Sequence, residues 1–282
     1  MGDTEATRVL VVVGAGTMGQ GIAQVGLLAG FETRLVDLSL DALEAASDAI
    51  ARRIDRTSGP DTAVAIARLS VSTDLALACR DAYAVIETVI ESMPIKVDVL
   101  RVACESAPAD ALLGSNTSAL SITEMAEGIG TPSRLVGLHF FNPVPKMQLV
   151  EVVRGTRTSA ETIAAAQTLA HELGKEPVVL ADSPGFVASR INALIGNEAF
   201  CMLEAGVASA KDIDTALKLG LNHPMGPFEL GDLVGWDVRL KVLEYLHANL
   251  GEKYRPCSMM IDYVAEGRLG RKVGRGVYDY PA

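Results

Sequence analysis

The sequence predicts an α/β protein: a doubly wound, mostly parallel sheet followed by an all-α C-terminal domain. Three observations lead there. Short apolar runs alternate with amphipathic helical segments through the first half of the chain, and a glycine-rich turn follows the first of those runs. Beyond Pro184 the strand-like runs give way to helical spacing punctuated by Gly and Pro. A chain of 282 residues exceeds one layered core of the usual size, so two domains are expected, 1–183 and 184–282.

The elements follow in order. From Arg8 to Val13 the run VLVVV suits a strand covered on both faces, at the centre of a parallel sheet. Further strands are expected at Thr33 to Val36, Ala82 to Thr88, Ala111 to Gly114 and Leu135 to His139, separated by helical patterns such as Ser39 to Arg56 and Ile95 to Ala107. A Gly/Pro/Ser break at Thr57 to Pro60 is read as a joint between two helices. Met147 to Val153 reads as a strand, Ala160 to Leu173 as a helix and Pro177 to Leu180 as a last short strand, before Asp182-Ser183-Pro184-Gly185 breaks the pattern. Helices are then expected at Ala188 to Ala205, Ala210 to Leu219, Pro227 to Val234 and Val238 to Leu250.

Composition narrows the function classes. Hydrophobic residues make up 49% and charged ones 21%, the profile of a folded globular protein. A net charge of −10 leaves no basic stripe to release phosphate counterions, so neither nucleic acid nor an anionic membrane is an expected partner. The opening MGDTEATR lacks the apolar stretch of a signal peptide, and no later run approaches the ~20 residues of a membrane span. A cytoplasmic protein is expected. The cysteines at 79, 104, 201 and 257 form no Cys-x-x-Cys pair and have no His cluster beside them, so they read as reduced small hydrophobes and no metal site is expected.

Gly14-Ala15-Gly16-Thr17-Met18-Gly19 is a G-x-G-x-x-G turn between a strand and a helix, where backbone amides and the helix dipole can meet a pyrophosphate. Asp37 ends the second strand about twenty residues on, placed to accept hydrogen bonds from ribose hydroxyls and to repel a 2′-phosphate. Strand, glycines and acid in this order identify a Rossmann-type domain with NAD as the cofactor, although Arg34 nearby leaves NADP open.

The chemistry centres on His139, at the end of a strand in GLHFFNP, and on Glu151, a carboxylate inside the apolar run LVEVV that needs a partner if buried. Oxidising an alcohol requires a base to take the hydroxyl proton as the hydride leaves, and imidazole suits that task. An adjacent carboxylate would orient the ring and favour its protonated form.

The chain resembles the short-chain L-3-hydroxyacyl-CoA dehydrogenases, and within them most closely the bacterial 3-hydroxybutyryl-CoA dehydrogenases. The blocks VVGAGTMGQGIA, VIETVIE, GSNTSALSI, GLHFFNPVPKMQLVEVV, DSPGF, LKLGLNHPMGPFELGDLVG and LGRKVGRGVYDY carry the resemblance, which spans nearly the whole sequence. It implies reversible oxidation of a (S)-3-hydroxyacyl thioester, His139 and Glu151 as the catalytic pair, and Ser118 as a hydroxyl bonded to the reacting oxygen and bordering the nicotinamide. Glu91, Lys96 and Asn142 match positions at the nicotinamide end of NAD, Asn142 also bordering the substrate, and Lys272 matches a lysine that closes over the cofactor. Read without the resemblance, Ser118 is a helix cap, Asn142 a turn residue, and both lysines are solvated surface charges. A short-chain acyl-CoA substrate, a role in fatty acid metabolism and a homodimer formed through the C-terminal domain are further implications.

One position departs. Where the family usually has asparagine before the arginine, this chain reads Ser189 before Arg190, which puts substrate choice or rate in question; Asn192, one turn on, is a possible substitute. Three rival readings stand beside the main one: the same chemistry on a thioester carried by an acyl carrier protein, a non-catalytic NAD-binding structural protein, and a hydroxy-acid dehydrogenase without thioester, the last disfavoured because the turn after Gly185 reads Ala188-Ser189-Arg190-Ile191-Asn192 and offers no lysine.

Overall fold

A computed structural model of the protein describes residues 8–57 and 61–280. The acidic opening, up to residue 7, and the part of the 57–60 break from residue 58 on lie outside the described residues. The chain divides into two compact units, one ending at Asp182 and the other beginning at Ser183.

The first unit is built on β1 (Val9–Val13), β2 (Glu32–Val36), β3 (Leu69–Ser72), β4 (Ala82–Glu87), β5 (Leu112–Ser115), β6 (Leu135–Phe140), β7 (Leu149–Arg154) and β8 (Glu176–Ala181), in the sheet order β3-β2-β1-β4-β5-β6-β7-β8. All neighbours pair in parallel except β6 and β7, which run antiparallel. The order reverses between β1 and β4, the switch point at which open α/β sheets bind ligands beyond the carboxyl ends of their strands. Every residue of β1 is buried, as a strand covered on both faces must be. Pro177 is tolerated because β8 is an edge strand and needs no amide on its outer side.

Helices α1 (Thr17–Leu28), α2 (Leu40–Thr57), α3 (Thr62–Ala67), α4 (Leu75–Cys79), α5 (Met93–Ser106), α6 (Ile122–Gly128) and α7 (Ala160–Glu172) connect these strands. The elements that pattern reading did not pick out here are β3, α3, α4 and α6. All are short, from four to seven residues, and β3 is partly exposed along its length, so none has a periodicity long enough to detect.

The second unit contains α8 (Ala188–Glu204), α9 (Ala210–Gly220), α10 (Pro227–Val234), α11 (Trp236–Leu250) and α12 (Ser258–Ala265). Its core gathers on Trp236, which is fully buried with the Phe200 ring packed edge-on at 4.7 Å. Two buried aspartates pin the C-terminal segment. Asp232 accepts from the Trp236 indole, the amides of Val277 and Tyr278 and the Tyr280 hydroxyl, and Asp214 accepts from the amides of Phe228 and Glu229 and the Tyr278 hydroxyl. Burial pushes the Asp214 carboxyl above its ordinary value, against the pull of those three donors. The four cysteines are free thiols, with Cys79 and Cys257 buried.

Candidate active site

The strands β1, β4, β5 and β6 are neighbours, so the residues at their carboxyl ends are brought together although up to 125 positions separate Gly14 from His139 in sequence. Gly14 leaves β1 at φ +108°, a left-handed conformation that a side chain would strain. A Cβ on Gly19 would collide with the Gly14 carbonyl oxygen, so glycine there lets α1 start hard against the strand. Gly16 faces open space, with no atom within 4 Å of an added Cβ, and it and Thr17 are exposed at the helix start. Met18 is half-buried against the core.

Asp37 reaches back to this turn: its Oδ2 accepts from the Ala15 amide at 2.8 Å and its Oδ1 from the Ser39 amide at 3.2 Å. It therefore braces the glycine turn and leads into α2. Arg34, which left the choice of dinucleotide open, is drawn elsewhere. Its guanidinium binds Asp81 through both terminal nitrogens and the Ala78 carbonyl at 2.9 Å. That pairing holds the Asp81 carboxyl below its ordinary value.

Beyond β4 and β5 lies a chain of polar contacts. Glu91 Oε1 accepts from the Thr117 hydroxyl at 2.6 Å and the Ser118 amide at 3.0 Å. Its Oε2 lies 3.4 Å from Lys96. Lys96 is only 1% exposed, so it is not the solvated lysine that its residue type suggests. Its ammonium meets Glu87 at 2.8 Å and the Val89 carbonyl at 3.1 Å. Glu87 is a site residue that sequence reasoning missed; a lone acid closing an apolar strand was the only signal. Burial pushes its carboxyl above the ordinary value, while Lys96, the Ser115 hydroxyl and the Val89 amide pull the other way.

At the end of β6, His139 Nδ1 lies 2.7 Å from Glu151 Oε2, and the two residues are register partners in the antiparallel β6–β7 pair. They are 6% and 1% exposed, so the carboxylate is out of water and the imidazole is its compensation. The Phe141 ring tilts against the imidazole at 4.5 Å. Asn116, between Ser115 and Thr117, accepts from the Phe140 amide at 2.9 Å and ties the turn carrying Ser118 to the strand carrying His139.

The loop after β6 contributes Asn142 to a cavity of about 320 Å³, whose lining also includes Thr17, Gln24, Arg53, Arg56 and Lys146. Gln24 is nearly fully buried there, with its Oε1 unpartnered among the described residues. Arg53 and Arg56 come from α2, outside every quoted motif, and Lys146 from the loop within GLHFFNPVPKMQLVEVV, where it was not singled out. Lys175 holds that loop from below, donating to the carbonyls of Val144 at 2.5 Å and Met147 at 2.9 Å.

In the second unit Ser189 sits half-buried in the first turn of α8. The Asn192 carbonyl accepts from buried Arg239 at 2.7 Å. Lys272 lies in a short 3₁₀ turn, Arg271–Val273, with its ammonium 2.5 Å from Asp237 Oδ1.

Residues 9–183 match the family model described as 3-hydroxyacyl-CoA dehydrogenase, NAD binding domain, and residues 185–280 match that of the 3-hydroxyacyl-CoA dehydrogenase C-terminal domain. The chain is 44% identical over 278 residues to a probable 3-hydroxybutyryl-CoA dehydrogenase of Bacillus subtilis, covering 96% of each chain. It is 40% identical to the 3-hydroxyadipyl-CoA dehydrogenase of Escherichia coli, over 98% of this chain and 59% of that one. Among solved structures, the (S)-3-hydroxybutyryl-CoA dehydrogenase of Ralstonia eutropha superimposes with a TM-score of 0.93 at 42% identity, covering 98% of this chain and 100% of that one.

Proposed function

The chain belongs to the 3-hydroxyacyl-CoA dehydrogenase family and is an NAD-dependent oxidoreductase of 3-hydroxyacyl-CoA thioesters, and we propose that His139 and Glu151 carry its proton transfer. The observation that carries this reading is the 2.7 Å contact between the two side chains, away from water at the end of β6.

The glycine turn from Gly14 through Ala15, Gly16, Thr17 and Met18 to Gly19 suits a dinucleotide: Gly16 leaves room for a pyrophosphate and the amides of the α1 start point to it. Asp37 receives the ribose, and Glu91 and Asn142 border the nicotinamide end, with Lys272 a further cofactor residue. Bound there, NAD supplies the hydride acceptor for the hydroxyl-bearing carbon. His139 takes the hydroxyl proton on Nε2, because Nδ1 is committed to the carboxylate. Glu151 holds the ring and stabilises the imidazolium that forms, without taking the proton itself. Ser118 follows the oxygen from alcohol to ketone, since a hydroxyl both donates and accepts. In the reverse direction His139 returns the proton.

The substrate we favour is a short-chain (S)-3-hydroxyacyl-CoA such as 3-hydroxybutyryl-CoA. Arg53, Arg56 and Lys146 around one cavity with Asn142 support a phosphate-rich carrier such as CoA. Ser189 contacts the acyl portion. Exposed aliphatic side chains on the helical unit, Ile191, Val207, Leu219 and Leu221, support a homodimer formed through that unit. No described helix is long and apolar enough to cross a membrane. The likeness to a bacterial 3-hydroxybutyryl-CoA dehydrogenase favours a cytoplasmic location. The deciding experiment compares NAD reduction on 3-hydroxybutyryl-CoA, longer hydroxyacyl-CoAs and an acyl-carrier-protein thioester. Turnover confined to the last would sink the CoA assignment, and none on any would sink the dehydrogenase.

A further inference from the structure

Glu87 closes β4 with no exposure at all, and the proton transfer gives it no part. Both of its carboxylate oxygens are engaged: Oε1 accepts from the Val89 amide at 2.6 Å and from Lys96 at 2.8 Å, and Oε2 from the Ser115 hydroxyl at 2.6 Å. The Lys96 ammonium donates to Glu87 Oε1 and to the Val89 carbonyl, and it forms an ion pair with Glu91 Oε2 at 3.4 Å. Glu91 in turn accepts from the Thr117 hydroxyl and the Ser118 amide. A continuous polar path therefore runs from the interior of the sheet to Ser118.

We propose that Glu87 is a positioning residue for the dehydrogenase reaction, fixing the 116–118 turn and the place of the Ser118 hydroxyl through Lys96 and Glu91. The proposal rests on the reading of Ser118 as the hydroxyl that meets the reacting oxygen.

The energetics favour control of geometry over bulk stability. A buried ion pair is weak ground for stability, since apolar residues of similar volume often serve as well, yet removing one partner strands the other charge. Lys96 is thus held to Glu87, and its remaining contact falls on Glu91, whose side chain is 41% exposed and, without that contact, would be freer to sample other rotamers. The sheet anchors the ammonium, the ammonium anchors the acid, and the acid receives the Ser118 amide. A site supported from a rigid strand keeps the tolerance of about half an ångström that catalysis demands. On this account Lys96, only 1% exposed, serves the site through its ion pair with Glu91.

The test is a double-mutant cycle between Glu87→Gln and Ser118→Ala, read as kcat alongside NAD affinity. Ser118→Ala alone is expected to lower kcat; if it does not, the assignment of Ser118 fails and takes the proposal with it. With that loss established, Glu87→Gln is expected to lower kcat by about ten- to a hundredfold, the scale of a small misplacement of reacting groups. In the Ser118→Ala background the same change should have almost no effect, because no hydroxyl remains to be misplaced. Equal losses in both backgrounds, or unaltered kcat in folded Glu87→Gln, would overturn the proposal while leaving the Ser118 reading intact. If Glu87→Gln does not fold, Glu87→Gln/Lys96→Met removes both charges together and is read in the same way.

Discussion

His139 and Glu151 face each other across the antiparallel β6–β7 seam, as register partners whose side chains meet at 2.7 Å. The pair is thus made by strand alignment, and the rigid backbone on both sides sets the tilt of the ring. Glu151→Gln keeps the volume and one acceptor but removes the charge that supports imidazolium. It is expected to lower kcat by about a hundredfold or more, and His139→Ala at least as much, with little change in NAD affinity. Steady-state rates and a fluorescence titration with NAD check this, and unaltered turnover in His139→Ala would remove that residue from the mechanism.

Asp37 binds the Ala15 amide, so its loss should disturb both the ribose contact and the glycine turn. Asp37→Ala is expected to weaken NAD by about tenfold, the scale of a lost charged hydrogen bond, and to narrow the preference over NADP. Because Arg34 is already paired with Asp81, its charge is committed there and rewards a 2′-phosphate only weakly. A large gain in NADP affinity, or no change for either dinucleotide, would contradict this account.

Arg53 and Arg56 line one cavity with Asn142. Reversing both charges, Arg53→Glu/Arg56→Glu, is expected to raise KM for 3-hydroxybutyryl-CoA by about tenfold or more with kcat nearly retained, an effect that rising salt should mimic in the parent enzyme. A truncated thioester without the nucleotide should not register the change. Equal KM values for the full CoA thioester would assign the cavity to something else.

Ser189 stands where the family usually carries asparagine. Ser189→Asn should change kcat/KM on short hydroxyacyl-CoAs relative to longer ones, because a longer amide reaches further from the first turn of α8. Indifference across the chain-length series would mean that this position does not touch the acyl group.

Asp237 and Lys272 make a prediction about acid stability. Burial opposes ionisation of Asp237, but the Lys272 ammonium at 2.5 Å together with the backbone amides of Asp237 and Val238 outweighs it, and the carboxyl falls below its ordinary 3.8. A carboxyl lowered by folding contributes stability that is complete above the ordinary value and is lost as pH falls through the lowered one. Lys272→Met should therefore move the midpoint of acid unfolding, followed by circular dichroism, to higher pH. Coincident acid transitions would show the pair to be without thermodynamic weight.

The glycine turn, Asp37 and the long helices were legible because each is written in neighbouring residues: a strand, a positive-φ turn and an amphipathic repeat need only local sequence. The short elements β3, α3, α4 and α6 escaped because four to seven residues hold too little periodicity to separate from loops. The chemistry of Glu87 escaped for a different reason. Its partners Lys96 and Ser115 belong to α5 and β5, and nothing local to VIETVIE marks the acid as the far end of a path to Ser118.

The sequence by itself determined the fold class, the family and the residue types available for hydride chemistry, since those follow from pattern, motif and order along the chain. Tertiary structure alone decided which of those residues meet. It commits Arg34 to Asp81, buries Lys96 against Glu87, sets Glu151 opposite His139 and gathers Arg53, Arg56 and Lys146 around one cavity. The physical reason is that side-chain pairing depends on strand order and register, quantities fixed by the packing of the whole sheet and carried by no single stretch of chain.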